Sequence, residues 1–191
     1  MTTFHYGKTA ATADPRDLKF GTYRQPAVPL PAPPADWGYD NVVTAGLWGM
    51  LGNDQWGDCV WAGAAHEHIL TSTVAGKPAT FSADGVLADY SATTGFNATA
   101  GPPGGNATDR GTNVRAALGY RRATGIVDAA GVRHKITAYL ALDVSRIQDG
   151  DFSEMAEAAY LFGAVGVGIQ VPQSAETQFG EHKMWSYVAG S

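Results

Sequence analysis

Residues 52–68 read GNDQWGDCVWAGAAHEH and contain the chain's one cysteine, Cys59, where a glycine-rich turn gives way to an alanine-rich run. From about Asp58 to Val74 the run is apolar nearly all round, through Val60, Trp61, Ala62, Gly63, Ala64, Ala65, Ile69 and Leu70, and Gly76 and Pro78 close it. That pattern predicts a helix through the middle of a domain, with neighbours packed close against its small residues. Cys59 then falls in the first turn. Unpaired N–H groups and the positive end of the helix dipole favour a thiolate there, and the thiolate is the nucleophilic form. The competing reading is a packed core thiol, because free cysteine is among the most buried residue types. A purely structural cysteine has no need of a helix N-terminus. Six residues earlier Asn53 offers a side-chain amide held between turns at Gly52 and Gly57, and acyl transfer needs such a donor where the tetrahedral oxyanion forms.

The rest of the chain is organised around this unit. With 191 residues, 45% hydrophobic and 16% charged, it is long enough to bury the core of one domain. A net charge of −5 gives no basic stripe for nucleic acid, and no window approaches the roughly 18 consecutive apolar residues of a membrane span. A single cysteine excludes an intrachain disulfide framework, and MTTFHYGKTAATADPRDLKF at residues 1–20 lacks the apolar core of a signal peptide, which points to a reducing, cytoplasmic setting. Two Asn-Ala-Thr sequons, at Asn97 and Asn106, read as loop residues. Proline density in PAVPLPAPP, residues 26–34, imposes extended polyproline geometry. Residues 1–35 are therefore an extended arm and residues 36–191 the domain.

Downstream, Ser82 is a good N-cap for a second helix carrying Val86, Leu87 and Tyr90 inward and stopping near Gly95. Residues 97–111 read as loop. A third helix begins at about Thr112, places Val114, Ala117 and Leu118 on one face, and ends at Gly125. KITAYLALDV, residues 135–144, then alternates strictly, and so does AVGVGIQVP, residues 164–172; both predict half-buried strands. Between them a fourth helix opens with Asp151 and Glu154 in capping-box spacing and buries Phe152, Met155, Ala156 and Ala159. Helices first and strands later make an α+β pattern.

DWGYDNVVTAGLWGMLGNDQWGDCVWA, residues 36–62, resembles the opening segment of the papain-like cysteine peptidases, with its Asp-Trp, its Val-Thr, an amide residue six before the nucleophile, and Gly-x-Cys opening the central helix. FSADGVLADYSATTGF is similar to the family's second helix, DRGTNVRAALGYRRATGIV to its glycine turn and third helix, and MAEAAYLFGAVGVGIQVP to the helix and strand that begin its barrel-like lobe. The resemblance covers roughly residues 36–175 and is specific only around Cys59. It implies a papain-like α+β fold, a peptide or protein substrate, Cys59 as nucleophile, and Asn53 as oxyanion donor where the family usually has glutamine. It implies neither a metal nor an organic cofactor. With a histidine partner, Cys59 should lie partly exposed in a cleft with a depressed pKa. The family places that histidine roughly 130–150 residues after the cysteine, which projects to about residues 189–209. The expectation is accordingly that the C-terminal histidine and asparagine part is missing, or that His182 in HKMWSYV is a degenerate version of it.

The other histidines point to no site. In His66-Glu67-His68 the position that a zinc motif would give to its second histidine is Leu70, and residues two apart on a helix face different ways. His134, between Arg133 and Lys135, reads as solvated. Trp48, Trp56 and Trp61 wall the core and cleft. Two functions of different class follow: a cysteine peptidase or amide-bond hydrolase, and a catalytically inactive papain-like domain that binds or builds within a larger assembly, such as a phage particle, through its extended arm.

Overall fold

The computed structural model describes residues 7–12, 14–24, 29–39, 41–181, 183, 186 and 188. Among these the helices are α1 (Phe20–Tyr23), α2 (Cys59–Val74), α3 (Ala83–Thr94), α4 (Val114–Ala123), α5 (Val144–Gln148), α6 (Ser153–Phe162) and α7 (Gln173–Gly180). Two strands, β1 (Ile126–Val127) and β2 (Arg133–His134), pair antiparallel, with Ile126 opposite His134. The class is α+β. No helix among the described residues is long and apolar enough to cross a membrane.

Helix α2 is the core element that its sequence demands. Trp61, Ala62, Ala64, Ala65 and Ile69 are buried, and the alanines let α3 and α4 approach it directly. Ser82 caps α3 by accepting from the Gly85 N–H at 3.2 Å, and Gly95, at φ +76°, closes it in the left-handed conformation. Helix α4 starts at Val114 rather than Thr112, because Asn113 is the cap and accepts from the Ala116 N–H at 3.2 Å. Thr112 is instead buried, its hydroxyl accepting from Trp61 Nε1–H at 3.0 Å.

Both expected strands are corrected. Residues 135–144 carry one isolated bridge, Lys19 with Ala141, and then enter α5; residues 164–171 form no strand among the described residues. Val167 and Ile169 stand 60% and 59% exposed. Alternation states what a strand would bury, but a strand exists only where a second backbone supplies the ladder. The hairpin that does form was missed. Asp128 makes it by accepting the Ala130 and Val132 N–H groups at 2.9 and 2.8 Å.

Helix α6 also departs from expectation. Asp151 accepts from the Ser153 N–H at 3.0 Å, but Glu154 does not complete a capping box. It is buried and accepts from the Asp143 N–H at 3.4 Å. Phe152 is exposed, Met155, Ala156 and Ala159 are half-buried, and Ala158 is buried instead. The face is set by residues far away in sequence: Phe20 packs edge-on against Phe162 at 6.0 Å and Trp37 against Tyr160 at 5.3 Å. Helix α7, after Pro172, has no counterpart in the sequence reading.

Candidate functional site

The turns before Cys59 are tied internally. The Asn53 N–H donates to Met50 O, and the Gln55 and Trp56 N–H groups both donate to Gly52 O, each at 3.0 Å. Gly52 has φ +103°. This delivers the chain to Asp58, the N-cap of α2, and makes Cys59 its first residue. Asn53 is half-buried in that turn, its amide making no hydrogen bond to another described residue. Nucleophile candidate and donor candidate thus belong to one turn-to-helix unit.

A polar network that the sequence did not reveal holds this unit in place. Asp109 accepts the Gly57 N–H with both carboxylate oxygens at 3.1 Å and the Tyr90 hydroxyl at 2.6 Å. The Tyr90 oxygen in turn accepts from the Gly111 N–H at 2.9 Å. Burial, followed by the bond to Asp109, pushes the Tyr90 phenol up. Phe96 stacks on Tyr90 at 4.7 Å and meets Trp56 edge-on at 5.0 Å. Gly57 and Gly111, 54 positions apart by residue number, are fixed together by one carboxylate and one phenol. Nothing local marks Asp109 for this role; it sits in a segment that reads as loop.

Cys59 is half-buried. Burial pushes its thiol up, and the Asp58 carboxylate adds to this; the backbone amides of Gly7, Val60 and Cys59 itself act in the opposite direction. The expected depression depended on a histidine, and the described histidines are engaged elsewhere. His66 Nε2 lies 2.9 Å from Trp48 O and 3.0 Å from Gly49 O. The His68 ring lies 4.2 Å from that of His134, tilted by 35°, and His134 Nε2 contacts Asp128 Oδ2 at 2.8 Å, so His134 is half-buried rather than solvated. Glu67 pairs with Arg121 at 2.9 Å. Among the described residues no group of three or more His, Cys, Asp or Glu is placed to hold a metal. His182 lies outside the described residues.

Asp58 is wholly buried, and neither carboxylate oxygen has a hydrogen-bond partner among the described residues. Desolvation first, then the charges of Asp109 and Asp54, push its carboxyl up to about 7, its own backbone amide opposing. A value raised on folding favours the fold at low pH, and that contribution is lost as the pH rises through about 7. The loss is on the order of 4 kcal/mol. His68, lowered chiefly by burial, acts oppositely below its ordinary range. The informative measurement is therefore the difference in urea-unfolding free energy between wild type and Asp58→Asn from pH 4 to 8. The variant should gain on the wild type from pH 4 to about 7 and level off above it, and a pH-independent difference would show that Asp58 is ionised throughout.

Compared with protein-family models, curated proteins and solved structures, the chain matches none.

Proposed function

We propose that this chain carries the nucleophile-bearing helical part of a papain-like thiol hydrolase acting on peptide or amide bonds, with Cys59 as nucleophile. The observation that carries the reading is the position of Cys59: a half-buried cysteine as the first residue of the 16-residue core helix α2. In the reaction the thiolate attacks the carbonyl carbon, and the Cys59 N–H with the Asn53 amide binds the oxyanion. An imidazole returns a proton to the leaving amine, and water then cleaves the thioester. That imidazole must stand about 2.6–3.2 Å from the sulfur; His66 and His134 are hydrogen-bonded elsewhere, and the His68 ring lies against those of Phe81 and His134.

The second reading, an inactive papain-like module serving an assembly, is favoured by the raised thiol beside the Asp58 carboxylate. One experiment separates the two. Fluorogenic peptide amides are offered to wild type and Asn53→Ala, and iodoacetamide alkylation of Cys59 is followed from pH 5 to 10. The enzyme reading expects turnover that alkylation abolishes, with kcat lowered roughly 10²-fold by Asn53→Ala and KM nearly unchanged. No turnover, together with alkylation only above about pH 8.5, overturns it in favour of the module.

A further inference from the structure

The β1–β2 hairpin is held on two sides by different chemistry. On its α3 side the buried Asp89 carboxylate accepts the Val127 N–H at 2.9 Å and pairs with Arg133 at 2.8 Å, and Arg133 also donates to Gly125 O at 2.8 Å. That clamp contains no imidazole. On its α2 side the contact is between two imidazoles. The His68 and His134 rings, both half-buried, lie 4.2 Å apart, and the Phe81 ring closes the cluster at 5.8 Å from His68 and 6.2 Å from His134. His134 Nε2 lies 2.8 Å from Asp128 Oδ2, while Oδ1 of the same carboxylate accepts the Ala130 and Val132 N–H groups that shape the turn. One carboxylate therefore makes the hairpin and holds the second imidazole against the first.

Two imidazoles in ring contact share this space while at most one is charged, because a like charge within about 4–6 Å disfavours a second. The charged groups around His68 do little to offset that. Glu67, its neighbour on α2, is engaged by the Arg121 guanidinium of α4 at 2.9 Å, and Asp128 of the hairpin is engaged by His134. Burial first, then His134 and Arg121, hold the His68 imidazole below its ordinary range, with Glu67 and Asp128 opposing. Packed against the hairpin, His68 binds a proton less readily than it does when released. The contact is therefore intact above the ordinary histidine value of about 6.5 and weakens as the pH falls below it. We propose that the His68–His134 contact is a proton-operated latch, which releases the β1–β2 hairpin from the central helix in mildly acid solution while Asp89 keeps it tethered to α3. Release uncovers the side of the Phe81 ring that His134 now covers. The latch is independent of any role of Cys59.

Whole-molecule unfolding sums opposite effects, since the raised Asp58 carboxyl favours the fold at low pH and the lowered His68 imidazole opposes it. The test is therefore local. Amide hydrogen exchange in the full chain, followed by NMR and corrected for its intrinsic pH dependence, reads the hairpin at Asp128 and Ala129, whose N–H groups donate to Val132 O at 2.9 Å and to Thr80 O at 2.8 Å. The mid-helix amides of α3 serve as the internal control. From about pH 7.5 to about pH 5, protection at Asp128 and Ala129 should fall at least about tenfold while α3 keeps its own. In His68→Gln, whose side chain is uncharged at both ends of that range, the fall should be absent. Near-UV circular dichroism reports whether His68→Gln keeps its fold; if it does not, His134→Gln decides by the same reading, its amide still able to donate to Asp128. A change within about twofold in the wild type, an equal fall in the folded variant, or loss of α3 protection together with that of the hairpin would overturn the proposal.

Discussion

On the proposed hydrolase reading, Cys59→Ala is expected to lower hydrolysis of peptide amides by at least about 10³-fold, to the level left by oxyanion binding alone. The chain holds no second cysteine, so no other thiol can take over the attack. Substrate affinity should change little, because the sulfur enters the chemistry at bond formation rather than at docking. The fold should survive as well: Cys59 is half-buried, and alanine, the best helix former, replaces it at the first position of α2. Loss of activity without loss of thermal stability is the expected pair of results, read from initial rates and a melting curve. Turnover above about a tenth of wild type in Cys59→Ala would place the nucleophile elsewhere. Cys59→Ser adds a control, since its hydroxyl keeps the shape of the group but is not ionised near neutral pH.

The largest expected effect on stability is that of Trp61→Ala, about 3–5 kcal/mol. Trp61 is 1% exposed at the centre of the core and meets the Tyr120 ring edge-on at 5.4 Å. Its indole N–H donates to Thr112 Oγ1 at 3.0 Å, so truncation leaves a cavity and also a buried hydroxyl without its donor. Domains of this size are stable by roughly 5–15 kcal/mol, and the variant should lose a large share of that. Trp61→Phe keeps most of the ring but not the hydrogen bond, and should cost about 1–3 kcal/mol. Urea-unfolding midpoints at constant slope check both values. A loss below about 1 kcal/mol for Trp61→Ala would mean that the core closes over the missing indole. Thr112 also pairs through its backbone with Gly7 and Thr9, so Trp61→Ala should loosen the N-terminal segment in parallel.

Local chemistry was enough to read the helices that surround Cys59. The all-round apolar run specified α2, Ser82 and Gly95 bounded α3, and the placement of Cys59 in the first turn of α2 followed from Gly57 and Asp58. Each of these depends on residues within a few positions of one another. The strand readings failed at residues 135–144 and 164–171 because alternation is a statement about one chain segment, whereas a ladder is a property of two. The buried face of α6 failed for a related reason, since Phe20 and Trp37, more than 100 residues away, decide which side is covered.

At the candidate site the division is the same. The sequence by itself determined that one cysteine opens the central helix six residues after an amide side chain. Only the tertiary structure decided that Asp109 and Tyr90 lock Gly57 to Gly111, that Asp58 is buried with no hydrogen-bond partner among the described residues, and that Gly7 packs backbone to backbone against Gly57. A pKa depends on the desolvation and charges assembled around a group, and a close backbone contact depends on two glycines meeting. Neither quantity exists until segments 50 to 100 positions apart in the chain are brought together.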